Sequence, residues 1–315
     1  MHRITSWYNK NRTRIWVAIL AIFIIALIWW AFMNMSNQNK RNGQNTYTTI
    51  DTNTLNSITM ESQQSALSGN GITTNKKGIE AIDNFITYCN FGKIQEAYNL
   101  LSKECKEEVY PELSDFQNSY YKHTFGNEKR SVSIQNWIDD IYKVNFVGDA
   151  LSTGKYEKDS ILQDYITIVK DNDGNYKLNI HNYIGRKKID KTGSYDNIQV
   201  KVVKKDIYVD YEIYTFEVTN YSDNSIALGD IENLDCSFLS DKNDLKYAAS
   251  IGELSQGDIA VGNKQTKVMK IKYANKYSST REIKKIVFPA IVLDYSSYSE
   301  YKYGDWTFGN IEINI

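Results

Sequence analysis

Three cysteines, three histidines and two prolines are all that 315 residues contain of these types. Cys89, Cys105 and Cys236 are too few for a disulfide scaffold and show no metal-ligand spacing. With only His2, His123 and His181 beside them, a His/Cys zinc site has no ligand set to draw on. No motif joins a nucleophile to a base, so the chain implies no enzyme, no cofactor and no metal. An excess of charge is lacking as well. A formal net charge of -1 leaves no basic field for nucleic acid, and no nucleic-acid partner is expected. Lys far outnumbers Arg, and Asn, Ile and Tyr are abundant, a bias that suits an AT-rich bacterial genome.

What the sequence does have is one long apolar run. Residues 15–33, bounded by Ile15 and Met33, carry no charge over about nineteen positions. At a rise of about 1.5 Å per residue this nearly matches the roughly 30 Å hydrocarbon layer of a bilayer. A cleaved export signal has an apolar region of only about 7–15 residues and a small-x-small site. Here the run ends in Trp29, Trp30, Phe32 and Met33, too bulky for that site. Trp16 and the Trp29/Trp30 pair suit the headgroup layers at its two ends. Arg3, Lys10, Arg12 and Arg14 precede it with no acidic residue, while only Lys40 and Arg41 follow closely. The expectation is a single-pass transmembrane helix that engages the lipid bilayer, with residues 1–14 cytoplasmic and the rest outside the cell membrane. Residues 34–76, dominated by Asn, Gln, Ser, Thr and Gly, read as a disordered polar tether.

The pattern then turns helical. Ile79, Ile82, Phe85, Ile86 and Cys89 recur at helical spacing, and Asn90-Phe91-Gly92 offers a C-cap. Ile94, Ala97, Tyr98, Leu101 and Cys105 start a second stripe, closed by Pro111. Ser114-Asp115-Phe116-Gln117 has the form of a capping box that opens a third helix ending near Phe125. After Gly126 the period falls to two: Tyr142, Val144 and Phe146 alternate with polar residues. Two further runs flank the hairpin signal Asp171-Asn172-Asp173-Gly174. Three helices followed by an antiparallel sheet predict an α+β domain over residues 77–184. Cys89 and Cys105 fall on neighbouring apolar stripes, and a disulfide or two buried thiols satisfy the pattern equally.

This order resembles the nuclear transport factor 2-like (cystatin-like) superfamily, which implies helices packed on a curved sheet around a cone-shaped pocket. The stretches Asn-Phe-Ile-x-Tyr-Cys-Asn and Glu-Ala-Tyr-Asn-Leu-Leu-Ser-x-Glu-Cys-Lys-Glu are similar to those of uncharacterised membrane-anchored proteins of low-GC Gram-positive bacteria.

Residues 185–197 are polar and read as a linker. Beyond them, 198–205, 208–219, 235–239, 245–248, 267–273, 285–294 and 306–315 form seven short strand-like runs, which predict an all-β sandwich over residues 198–315. The run Tyr214-Thr-Phe-Glu-Val-Thr-Asn220 with the later Gly262-Asn263-Lys264 turn resembles telokin-like immunoglobulin-type domains of Gram-positive surface lipoproteins.

Two sharper features compete with plainer readings. Tyr88, Tyr98, Tyr120, Tyr121, Asp115 and His123 offer the residue types for acid–base work in a cone, yet a chain with 24 tyrosines places such residues in walls and cores anyway. Tyr295, Tyr298, Tyr301, Tyr303 and Trp306 suggest an aromatic edge-strand platform for a protein or cell-envelope partner, although spaced Tyr is also ordinary on a sheet face. Asp171-Asn172-Asp173-Gly174 reads as a turn and not a calcium loop, because Val169 and Leu178 stand where ligands belong. The implied role is a membrane-anchored extracytoplasmic binding or scaffolding protein without catalytic activity. The alternatives are an assembly component of a conjugation or secretion machine, and a small-ligand enzyme using the α+β cone.

Overall fold

The structure, a computed structural model, describes residues 75–126, 129–148, 162–232 and 234–315. Among these, no helix is long and apolar enough to cross a membrane. The expected span 15–33, the N-terminal residues 1–14 and the tether as far as residue 74 lie outside the described residues.

Helix α1 (Lys76–Asn90) starts where the Asn75 side chain accepts from the Gly78 amide, so the helix begins at the end of what reads as tether. Its stripe buries Ile79, Ile82, Phe85, Ile86 and Cys89, and each fully buried large side chain contributes roughly 1.5–3 kcal/mol. Gly92 closes it at φ 67, a conformation that costs glycine nothing. The expected second helix is two, α2 (Ile94–Asn99) and α3 (Lys103–Val109). It breaks because the backbone at Leu100 and Ser102 bonds to Leu178 instead, with Leu178 N to Leu100 O and Ser102 N to Leu178 O both at 2.9 Å. The Ser102 hydroxyl then caps α3 through the Cys105 amide.

The third helix is also corrected. Its capping box is built by Glu112 and Asp115 rather than by Ser114 and Gln117, because two carboxylates are better partners for the first-turn amides. It runs as α4 (Leu113–Phe116), a π-helical turn (Gln117–Tyr121) and α5 (Lys122–Phe125). The π turn brings Tyr120 inward, where Phe85, Tyr110 and Phe116 surround it.

These helices cover one face of an antiparallel sheet in the order β1 (Arg130–Ile138), β2 (Ile141–Gly148), β3 (Leu162–Lys170), β4 (Tyr176–Asn179). Val144, Phe146, Ile166, Ile168 and Leu178 join the helical stripes in one core. The Asp171 side chain accepts from the Asp173 and Asn175 amides and fixes the β3–β4 turn.

The remainder is two antiparallel sheets around a second core. One has the order β12 (Thr266–Tyr273), β7 (Glu212–Asn220), β6 (Ile198–Tyr208), β5 (Tyr183–Tyr195). The other runs β10 (Lys246–Ala248), β9 (Phe238–Asp241), β13 (Ile283–Val292), β8 (Ile226–Ala227), β11 (Ala260–Val261), with β14 (Phe308–Asn314) also on β13. Val200, Phe216 and Ile271 of the first sheet meet Leu239, Phe288 and Ile311 of the second. The chain is therefore mixed α+β with mostly antiparallel sheets.

The polar span 185–197 is not a linker. Most of it is β5, paired along β6 from Tyr183↔Tyr208 to Tyr195↔Ile198. Its lysines look like loop because they point to solvent from an edge strand, where charge is tolerated and only the backbone is bonded. Tyr183 belongs to the first core, whereas Ile189 and Tyr195 pack on the second, so one strand serves both. At Gly193 an added Cβ would lie 2.7 Å from the Ile313 side chain, which is why the strand is bare where β14 approaches.

An ionic cluster fastens the two halves where β5 leaves the first core. Arg186 donates to Asp206 at 2.7 Å, to Glu107 at 2.6 Å and to Glu108 at 3.3 Å, joining α3 to β5 and β6. Lys270 of β12 adds a 2.8 Å pair to Glu108. Burial pushes the Asp206 carboxyl up, but the hydrogen bonds from Arg186 and Tyr183 outweigh it and hold the group below its ordinary value. Its Oδ2 has the Lys204 ammonium at 3.3 Å without hydrogen-bond geometry.

Candidate functional site

The most unusual side chain of the α+β half is Asp164. It sits in β3 with the same inward parity as Ile166 and Ile168, fully enclosed by the core. A carboxylate there must find donors or carry a heavy desolvation cost. It finds three. Oδ2 accepts from the Tyr120 hydroxyl at 2.8 Å and from the His181 amide at 2.9 Å, and Oδ1 accepts from the Asn182 amide at 2.8 Å. His181 and Asn182 deliver those amides from the β4–β5 turn with φ of 61 and 60, a left-handed conformation that Asn and His tolerate better than most residues. Burial raises the Asp164 carboxyl above its ordinary value, and the three hydrogen bonds oppose that rise without cancelling it. Burial and the neighbouring Asp164 charge raise the Tyr120 phenol well above its own.

Beside this group stands a second pair. The Tyr110 hydroxyl meets His181 Nδ1 at 2.6 Å, with the two rings stacked 6.0 Å apart. Tyr110 is buried, whereas His181 lies at the surface. The carboxylate touches His181 through its backbone and not its ring, so Asp164 does not orient the imidazole as the acid of a Ser-His-Asp relay does. The arrangement holds an exposed imidazole by one nitrogen and occupies the buried carboxylate with protein donors.

Of the six residues singled out for acid–base work, the structure brings only Tyr120 to this carboxylate. The Tyr98 hydroxyl donates to the Tyr110 and Pro111 carbonyls, and Tyr121 stacks on Phe125. Tyr88 is half-buried, with the Lys93 ammonium 5.9 Å from its ring centroid. Asp115 is used as a cap, and His123 is exposed at the end of α5. Asp164, Tyr110 and His181 were missed. The signal available was an Asp in an otherwise apolar inward row of β3.

The aromatic group near the C-terminus is divided. Residues 295–300, expected as edge strand, form helix α6 (Tyr295–Glu300), because the Asp294 side chain caps it through the Ser297 amide and hydroxyl. Tyr298 is buried and donates to Asp230 at 3.0 Å. Trp306 donates its indole N–H to the Tyr301 carbonyl at 2.8 Å, and Lys302 pairs with Asp230 and Glu232. Tyr295 and Trp306 are half-buried. Tyr301 and Tyr303 are left projecting, 72% and 101% exposed, on a loop whose base is held by their neighbours.

Cys89, Cys105 and Cys236 are all buried free thiols. Burial pushes the Cys105 thiol up to about 12 and the Cys236 thiol up to about 11, which keeps both protonated and inert. Among the described residues no group of three His, Cys, Asp or Glu side chains converges as a metal site.

Fold and site together define a mixed α+β protein with a saturated buried carboxylate in one half and a displayed tyrosine pair in the other. Compared with protein-family models, curated proteins and solved structures, the chain has no match in any of the three.

Proposed function

We propose that this chain is a membrane-anchored, extracytoplasmic binding protein that performs no catalysis, held by residues 15–33 and projecting its folded part outside the cell. In this reading the α+β half is a nuclear transport factor 2-like domain and the all-β half an immunoglobulin-like sandwich of the telokin type. The observation that carries the reading is the loop of Tyr301 and Tyr303. Two tyrosines stand almost bare on a loop braced by Tyr298, Lys302 and Trp306, which is how a contact surface gains area at small cost in ordering entropy. Asp164 supports the non-catalytic part, since each of its oxygens is already taken and a substrate would have to displace the Tyr120 hydroxyl or a backbone amide. The partner belongs to the cell envelope.

A photo-crosslinking amino acid placed at Tyr303 of the full chain in intact cells tests this. A crosslinked species that is lost when Tyr301 is replaced by Ser, and absent when the probe sits at exposed Val268, is the expected result. Equal crosslinking from Tyr303 and Val268, or none from either, sinks the assignment of this loop as the contact surface.

A further inference from the structure

The α+β half carries a second feature, away from Asp164. A cleft of about 600 Å³ opens where α2 and α3 meet the β3–β4 turn, lined by Tyr98, Lys103, Lys106, Glu107, Asp171 and Lys177, with Pro111 at its wall. That volume falls in the range of small-molecule sites, roughly 300–1,000 Å³.

Its charges are unevenly committed. Glu107 is spent on Arg186 at 2.6 Å and lies 3.8 Å from Lys103. Asp171 gives one oxygen to the Asp173 and Asn175 amides and the other to the Asn175 side chain at 3.4 Å. Both acidic groups are therefore occupied by protein donors. The lysines differ. Lys106 is half-buried with its ammonium 4.6 Å from the centre of the Tyr98 ring, and Lys177 donates to the Asn99 carbonyl at 2.9 Å. The Lys177 charge also helps hold the Asp171 carboxyl below its ordinary value, whereas the ammonium of Lys106 has the Tyr98 ring face as its neighbour. Burial, and then the positive charge of Lys177, draw the Lys106 amine below its ordinary value.

A face that only needed solvation would let these side chains swing apart. Here the face of the Tyr98 ring holds one ammonium, and a backbone carbonyl holds the other. The Tyr98 ring is itself fixed, because its hydroxyl donates to the Tyr110 and Pro111 carbonyls. Both ammoniums are thus held at the cleft by neutral partners, and an anion that reaches the two of them would relieve their mutual repulsion.

We infer that this cleft binds a small organic anion, with a carboxylate or phosphate group held between Lys106 and Lys177 and its apolar part against Pro111 and the Tyr98 edge. The inference is independent of the Tyr301/Tyr303 surface, and either can fail alone. A soluble metabolite and a phospholipid headgroup present the same anionic group, and the test separates them.

The full chain is reconstituted into phosphatidylcholine vesicles, and each lysine's reactivity toward an amine acetylating reagent is read by mass spectrometry. Probes are inorganic phosphate, citrate and glycerol phosphate in solution, and phosphatidylglycerol within the vesicle. Protection of Lys106 and Lys177 by a soluble probe, with exposed Lys264 unchanged, supports a free anion as ligand. Protection that needs phosphatidylglycerol supports a headgroup. The paired variant Lys106→Met/Lys177→Met keeps the apolar stems and should weaken binding of the protecting probe by tenfold or more. The variant Lys284→Met, on another surface, should not. Lys106 and Lys177 reacting alike with and without every probe overturns the inference, as does unchanged affinity in the paired variant.

Discussion

The Tyr120 hydroxyl reaches across 44 residues of sequence to Asp164 Oδ2 at 2.8 Å, and both groups are sealed from solvent. Helical cover and sheet are joined at this point by a polar bond inside an apolar core. Removing one partner leaves the other without water to replace it. Tyr120→Phe should therefore cost about 1–3 kcal/mol, and Asp164→Ala should cost more, because it orphans the Tyr120 hydroxyl and the amides of His181 and Asn182 together. Urea unfolding of the full chain followed by circular dichroism measures both, and a Tyr120→Phe protein as stable as the parent would mean the bond contributes nothing.

Asp83 offers a pH test with a fixed sign. Burial on α1, and after it the charge of Glu80, raise its carboxyl from 3.8 to about 6. A carboxyl raised on folding favours the protonated native state, so its contribution is fully present below about pH 4 and lost as pH rises through about 6. Asp83→Asn should hence stabilise the protein at pH 7 by about 2 kcal/mol, and the gain should vanish near pH 4. A gain that stays constant across this range would show that the carboxyl titrates normally.

The ionic cluster predicts an order of effects rather than a single number. Arg186 compensates Asp206, whose side chain is 0% exposed, and Glu108, which is 5% exposed. Arg186→Met should cost about 3–5 kcal/mol, chiefly at Asp206, which loses its guanidinium and keeps only the Lys204 ammonium, whereas Glu108 keeps Lys270. Lys270, half-exposed at the rim, should cost under about 1 kcal/mol when replaced by Met. Chemical unfolding curves of the two variants decide it, and equal losses would refute the burial argument.

Much of this architecture was legible where one face of an element is buried. The Ile79-to-Cys89 stripe of α1 and the alternation Tyr142, Val144, Phe146 announce their partners because water is excluded from one side only. Legibility failed where a distant residue decided the local outcome. Leu178 breaks the second helix through backbone bonds, and no periodicity in residues 94–105 carries that fact. β5 failed for the opposite reason: its lysines point outward, so the bonded backbone left no apolar trace in its sequence. The buried carboxylate depended on left-handed turns at His181 and Asn182, which residue type alone does not impose.

The passage of β5 from one core to the other has a mechanical consequence. Hold the protein at Tyr303 and pull from residue 75, and the load runs from α1 through the first core into Tyr183 and along the strand. The β5–β6 hairpin is closed from Tyr183↔Tyr208 to Tyr195↔Ile198, so its two open ends lie side by side and a load that enters at Tyr183 and leaves the chain at Tyr208 peels its bonds from that end. Arg186, at the entrance to the strand, ties it sideways to α3 and β6. The ion pairs of Arg186 stand at that open end, so they should give way before the hairpin can peel.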